Sequence, residues 1–175
     1  MKYFLKLSLL ILLLFSSVKA QGKITIYSPA FEYGKAIPVK YTCDGKDISI
    51  PLKWIGKPSK TESYVIVMYD PDAPSGKFIH WILYDIPVNI IGLKENFPKR
   101  ALVDGIKQGL NDFGKVGYGG PCPPYGEKHR YFITIYAIDK ATLGLSPGAR
   151  PEDIFYKIRN HIIGKGEYMG VYKRQ

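Results

Sequence analysis

The chain alternates between long apolar runs and stretches with no period at all. YVIVMYD, from Tyr64 to Asp70, is nearly continuous and β-branched, the pattern of a central strand buried on both faces. FIHWILYDIP, from Phe78 to Pro87, is its natural neighbour across the loop PDAPSGK. HRYFITIYAID, from His129 to Asp139, predicts another long strand. Shorter strands are predicted in KITIYSPAF, ending at Pro29, along the alternation Ile37 to Thr42, and in PLKWIG. EYMGVYKRQ reads as a terminal strand.

One segment has helical spacing. In PEDIFYKIRNHII, Pro151 suits the first helical position, acids fill the first turn, and Ile154, Ile158 and Ile162 recur along one face. Gly164 is the expected stop. Between Asn89 and Gly120 the pattern dissolves into glycines and short polar pieces such as GLNDFGKVGYGG, a connection long enough to carry function. With no repeat or linker, residues 21–175 are expected to form a single, mainly β domain with one α-helix in its C-terminal half.

The first twenty residues follow another logic. MKYFLK is a basic lead, LSLLILLLF an apolar stretch, and SSVKA places Val18 and Ala20 at small-residue cleavage positions. This predicts a secretory signal peptide over residues 1–20, cut after Ala20. About ten apolar residues fall short of the roughly 20 that span a bilayer. Cleavage removes Lys2, Lys6 and Lys19, so the formal charge of +10 becomes +7. The remaining basic residues are dispersed, which argues against nucleic acid and allows weak contact with an anionic membrane surface.

Candidate chemistry gathers in two places. DPDAPSGKFIHW sets Asp70 and Asp72 at the end of a central strand and His80 and Trp81 at the start of the next. GYGGPCPPYGEKHRY places glycines, prolines and Cys122 just before His129 and Tyr131. Consecutive glycines such as Gly119 and Gly120 can turn backbone N–H groups toward an anion, with imidazole and phenol groups completing the site. Asp72 and Pro74 read more simply as turn residues. No G-x-S-x-G elbow, H-E-x-x-H or C-x-x-C pair, P-loop or dinucleotide fingerprint occurs, so no nucleophile, metal or cofactor is expected. The two cysteines, Cys43 and Cys122, suit either a disulfide in an oxidising compartment or two buried thiols.

DPDAP, His80 ten residues after Asp70, GPCPP and HRY, in that order, resemble the phosphatidylethanolamine-binding protein family. GLNDFGKVGYGGPCPP and YTCDGKDIS are similar to its bacterial and archaeal branch, often labelled Raf-kinase-inhibitor-like. The resemblance runs from Lys23 to Lys173. It implies antiparallel β-sheets with Greek-key connections and a small anion pocket. Asp70, Ala73, His80, Gly120, Pro121, His129 and Tyr131 fall on the family's pocket positions, and Phe78 stands where many relatives carry Trp. In this branch the YTCDG turn and GPCPP segment are expected near the same end of the fold, which, with export, implies a Cys43–Cys122 disulfide.

Two functions follow as expectations. The first is an exported binding protein, not an enzyme, whose pocket takes phosphate-like anions or phosphoethanolamine and phospholipid head groups. There His80 and His129 would donate to the anion, with Tyr131 and the N–H groups near Gly120. The second, permitted by the resemblance, is a secreted serine-protease inhibitor or other protein-interaction regulator.

Overall fold

A run of apolar residues with no polar alternation must be covered on both sides, and the fold does this for the stretch ending at Asp70. The computed structural model describes residues 22–175; the expected signal peptide and its cleavage point lie outside the described residues. In chain order the strands are β1 (Gly22–Lys23), β2 (Thr25–Tyr27), β3 (Leu52–Ile55), β4 (Ser63–Asp70), β5 (Phe78–Pro87), β6 (Gly92–Leu93), β7 (Leu102–Val103), β8 (Ile106–Gln108), β9 (Lys128–Ile138) and β10 (Ile162–Lys173). One α-helix, α1 (Pro151–Ile158), precedes β10.

The large sheet has the order β1-β10-β9-β4-β5-β8-β7, and a small sheet has the order β2-β3-β6. Pairing is antiparallel throughout except that β1 runs parallel to β10. After the β4–β5 hairpin the chain visits the small sheet and returns as β7 and β8 beside β5. It then crosses to the far side of β4 as β9.

β4 shows why its sequence lacks alternation. Tyr64, Ile66 and Met68 pack with Trp54, Trp81 and Tyr131 in a core that includes residues of both sheets. Val65 and Val67 face the other way, with Ile82 and Tyr84, onto Ile154 and Ile158 of α1. Each such side chain contributes about 1.5–3 kcal/mol through burial. Both faces of β4 are therefore core.

Two predicted elements are corrected. The alternation from Ile37 to Thr42 forms no strand; Val39–Tyr41 is a short 3-10 turn. Pro38 has φ −59° and no N–H, and Thr42 closes the turn by donating its N–H and its hydroxyl to the Val39 carbonyl. The helix ends at Ile158 rather than running on through Ile162. The His161 N–H bonds the Ile158 carbonyl, the Asp139 N–H bonds the His161 carbonyl, and His161 Nδ1 meets Asp139 Oδ1 at 2.8 Å. That junction sends Ile162 into pairing with Ile138. Gly164 is no helix stop but a β10 residue between β1 and β9, where a Cβ would collide with the Pro58 ring.

Cys43 and Cys122 are joined, with Cα atoms 5.4 Å apart and a sequence separation of 79. On loop-closure entropy a bond closing so long a loop is worth roughly 4–5 kcal/mol. Next to it the Cys43 N–H donates to the Pro121 carbonyl, so the turn and the GPCPP segment are bound twice.

Candidate functional site

Because β4 is antiparallel to both neighbours, its C-terminal end lies beside the N-terminal ends of β5 and β9. Asp70 closes β4 and pairs with Phe78, which opens β5. Lys128 opens β9 on the other side. A cavity of about 420 Å³ lies at this end, lined by Asp70, Ala73, Pro74, Ser75, Phe78, His80, Phe113, Cys122, Pro123, Pro124, His129 and Arg174. Its walls are mostly apolar, and apart from Ser75 its polar side chains are ionisable.

Asp70 organises the centre. Its side chain is 5% exposed, and Oδ2 accepts from His129 Nδ1 at 2.7 Å. Oδ1 accepts from the Asp72 N–H at 2.7 Å, the side-chain turn expected of Asp-Pro-Asp. On the other edge of the imidazole, His129 Nε2 stands 3.2 Å from Glu127 Oε2. Burial is the largest influence on His129 and opposes its charge. The hydrogen bonds to Asp70 and Glu127 together outweigh it, so the pKa is raised above the ordinary histidine value.

His80 is held differently. It is buried, and its Nδ1–H donates to the Gly119 carbonyl at 2.8 Å. That bond fixes the neutral tautomer and leaves Nε2 with a lone pair. Burial pushes its pKa below the ordinary value, and neither the Gly119 carbonyl nor the Asp70 charge restores it. Aromatic rings crowd its faces. Tyr131 and Phe113 meet it edge-on at 5.2 and 5.3 Å between centroids, and Phe78 lies tilted at 5.2 Å.

Of the residues singled out from sequence, Asp70, Ala73, Pro74, Phe78, His80 and His129 line this one cavity. Gly119, Gly120, Pro121 and Tyr131 do not. The expectation that the glycine N–H groups face an anion does not hold. The Gly119 N–H donates to the His80 carbonyl at 2.9 Å and the Gly120 N–H to Asp47 Oδ1 at 2.6 Å. Glycine is needed there for another reason: a Cβ at Gly119 would strike the Phe113 ring, and one at Gly120 the Tyr41 carbonyl and Asp47. Both glycines line a second cavity of about 470 Å³ that shares Phe113 and Cys122 with the first. Tyr131 is fully buried beneath His80, and its hydroxyl has no hydrogen-bond partner among the described residues. Burial, then the nearby Asp70 charge, holds that phenol well above its ordinary pKa.

Asp72 stands outside the cavity wall and ties the loop to β9. It accepts from the Arg130 N–H and Nε at 2.9 Å and from Nη2 at 2.6 Å. The Arg130 guanidinium lowers its pKa to about 2.

Sequence reasoning missed Phe113 and Arg174 on the cavity wall, and Glu127, which lies outside the lining but meets His129. Phe113 sits in the aperiodic GLNDFGK stretch, with its ring edge-on to Phe78 at 4.7 Å. Arg174 reaches the cavity because β10 pairs with β9 to its end, Lys173 opposite Lys128. Its Nε donates to Asp44 Oδ1 at 2.9 Å, and its guanidinium lies 4.1 Å from the Tyr125 ring centroid. For Glu127 the one available signal was its place two residues before a strand histidine.

The fold is already represented among known proteins. A model of the family described as Phosphatidylethanolamine-binding protein matches residues 27–173, and the chain belongs to that family. It is 49% identical over 162 residues to a UPF0098 protein of Aquifex aeolicus, covering 91% of this chain and 95% of that one. A UPF0098 protein of Methanothermobacter thermautotrophicus is 46% identical over 146 residues, 83% and 95% of the two chains. Among solved structures, a phosphatidylethanolamine-binding protein homologue of Chlamydia trachomatis, CT736, matches with a TM-score of 0.77 and 38% identity, over 89% of this chain and 99% of its own. Escherichia coli YbcL, described as a new member of the mammalian family, matches with a TM-score of 0.81 and 28% identity, over 87% and 99%.

Proposed function

We propose that this is an exported binding protein whose end-of-sheet cavity takes a phosphate-like anion, either free or as a phosphoethanolamine or phospholipid head group. The observation that carries the reading is the buried His129–Asp70 pair in a cavity with mostly apolar walls. A cationic imidazole there is an anion's natural partner, since a charge-assisted hydrogen bond is roughly twice as strong as a neutral one. Arg174, also on the cavity wall, adds a second fixed cation. His80 plays a different part from the one its sequence suggests. With Nδ1–H committed to Gly119, its Nε2 accepts a hydrogen bond from a donor on the ligand, such as the P–OH of a phosphate monoester, rather than donating to the anion.

Binding without bond cleavage fits this wiring. Both Asp70 oxygens, both His129 nitrogens and one nitrogen of His80 are engaged by protein partners, which suits holding a ligand more than relaying its protons. Export is supported by the Cys43–Cys122 bond, because disulfides persist chiefly in oxidising compartments.

Calorimetric titration with phosphoethanolamine and with inorganic phosphate tests the reading. Wild type is expected to bind, and His80→Ala to lose about tenfold or more, the weight of a hydrogen bond to a charged group. Affinity is expected to fall as pH rises through the raised pKa of His129. Absence of binding in wild type would remove the reading.

A further inference from the structure

His129 comes to the cavity with both ring nitrogens already engaged, and the two engagements differ in kind. The Asp70 contact is short, 2.7 Å, between side chains each 5% exposed. The Glu127 contact is longer, 3.2 Å, and the Glu127 side chain is 58% exposed. Among the described residues the Glu127 carboxylate makes no other hydrogen bond. Its backbone is fixed all the same. The Glu127 N–H donates to the Pro124 carbonyl, and the preceding Gly126 N–H to the Arg174 carbonyl. The side chain is thus tethered at a constant place, holding the imidazole by one weak and exposed bond.

The geometry points to Glu127, which stands outside the cavity lining but against His129, as a specificity-determining residue for the anion pocket, its carboxylate occupying the one His129 nitrogen through which a ligand anion can be bound. This rests on the reading of the cavity as an anion site. A ligand then enters by displacement. The tethered carboxylate competes at an effective concentration in the millimolar range, as short flexible tethers do. A free carboxylate offers His129 nothing that Glu127 does not, so it is excluded below that range. A phosphate monoester carries about −1.5 to −2 charge at pH 7 and three acceptor oxygens, and wins the exchange. Glu127 therefore selects phosphoryl groups over carboxylates. Once released, its carboxylate is free to meet an ammonium on the same ligand, which separates a zwitterionic head group from free phosphate.

The test compares wild type with Glu127→Gln, whose amide keeps the shape and loses the charge. Calorimetry is run with inorganic phosphate, phosphoethanolamine and acetate, and the His129 ring nitrogens are titrated by NMR. Affinity for inorganic phosphate is expected to rise about two- to five-fold, the weight of an exposed ion pair. Acetate binding is expected to become measurable, and the His129 pKa to fall. A smaller gain for phosphoethanolamine than for phosphate supports use of the freed carboxylate by the ammonium; an equal gain supports a site that reads the phosphoryl group alone. Glu127→Asp, with a shorter reach, is expected to behave like Glu127→Gln. Phosphate binding that is unchanged or weaker in Glu127→Gln overturns the inference and leaves the pocket reading standing. No phosphate or phosphoethanolamine binding in either protein overturns both.

Discussion

His80 and His129 reach the same cavity from strands on opposite sides of β4, yet the fold shifts their pKa values in opposite directions. Both side chains are almost wholly buried, so desolvation acts against charge on each. The partner decides the outcome. A backbone carbonyl at 2.8 Å from His80 offers a dipole, which does not recover the cost of burying a cation. A carboxylate at 2.7 Å from His129, with a second on its far edge, offers opposite charge, and the balance reverses. The pocket thereby gains from a single residue type one imidazole biased toward the charged form and one biased toward the neutral form.

The strongest way to break this difference is to remove the carboxylate behind it. Asp70→Asn keeps an oxygen to accept from the Asp72 N–H, but sets an amide N–H₂ against His129 Nδ1–H. Breaking a buried pair by removing one partner costs about 3–5 kcal/mol. The low end is expected, because the imidazole can discharge and Glu127 remains. Urea denaturation at pH 6 measures the loss. NMR titration is expected to show the His129 pKa falling toward that of His80, and values that stay apart would remove Asp70 as the cause.

A smaller effect sharpens the comparison from the other side. His80→Phe removes the donor to the Gly119 carbonyl and leaves a buried acceptor unpaired, at about 1–3 kcal/mol. The pH dependences are opposed as well. With its folded pKa raised, His129 gives stability that is full below the unfolded histidine pKa and is lost as pH rises through the folded one. With its folded pKa lowered, His80 gives stability that is full above the unfolded pKa and is lost as pH falls toward the folded one. His80→Phe is therefore expected to flatten the acid side of the stability profile and leave the alkaline side unchanged. A profile flattened on the alkaline side would contradict the assignment.

The contrast also marks where the sequence stops being legible. β4, β5 and β9 could be read directly, since unbroken runs such as YVIVMYD admit no solvated face, and they carry Asp70, His80 and His129. The failures lie where a local pattern met a distant partner. Ile37 to Thr42 alternates like a strand, but Pro38 and Thr42 close a turn first. Ile162 has helical spacing, yet Ile138 claims it for β10. Gly119 and Gly120 look like an anion cradle, while their N–H groups are consumed by His80 and Asp47. The pKa shift of each histidine belongs to this second kind. It depends on a carbonyl at residue 119 and a carboxylate at residue 70, which no spacing around His80 or His129 records.

The smallest expected effect concerns Asp72, two residues from Asp70 and directed to the outside of the same turn. It holds Arg130, next to His129, through two side-chain bonds and one backbone bond. The Arg130 side chain is 54% exposed, so solvent screens the pair, and Asp72→Asn is expected to cost only about 0.2–1 kcal/mol at neutral pH. Its sign is nevertheless definite. A carboxyl lowered to about 2 by Arg130 contributes fully above the unfolded aspartate pKa and loses that contribution as pH falls through about 2. The stabilities of wild type and Asp72→Asn are thus expected to converge between pH 4 and 2, followed by denaturant midpoints. Because Asp72 meets no ring nitrogen of His129, the replacement is expected to move that histidine's titration far less than Asp70→Asn does. An equal displacement would mean that the turn as a whole, rather than the Asp70 carboxylate, raises the pKa of His129.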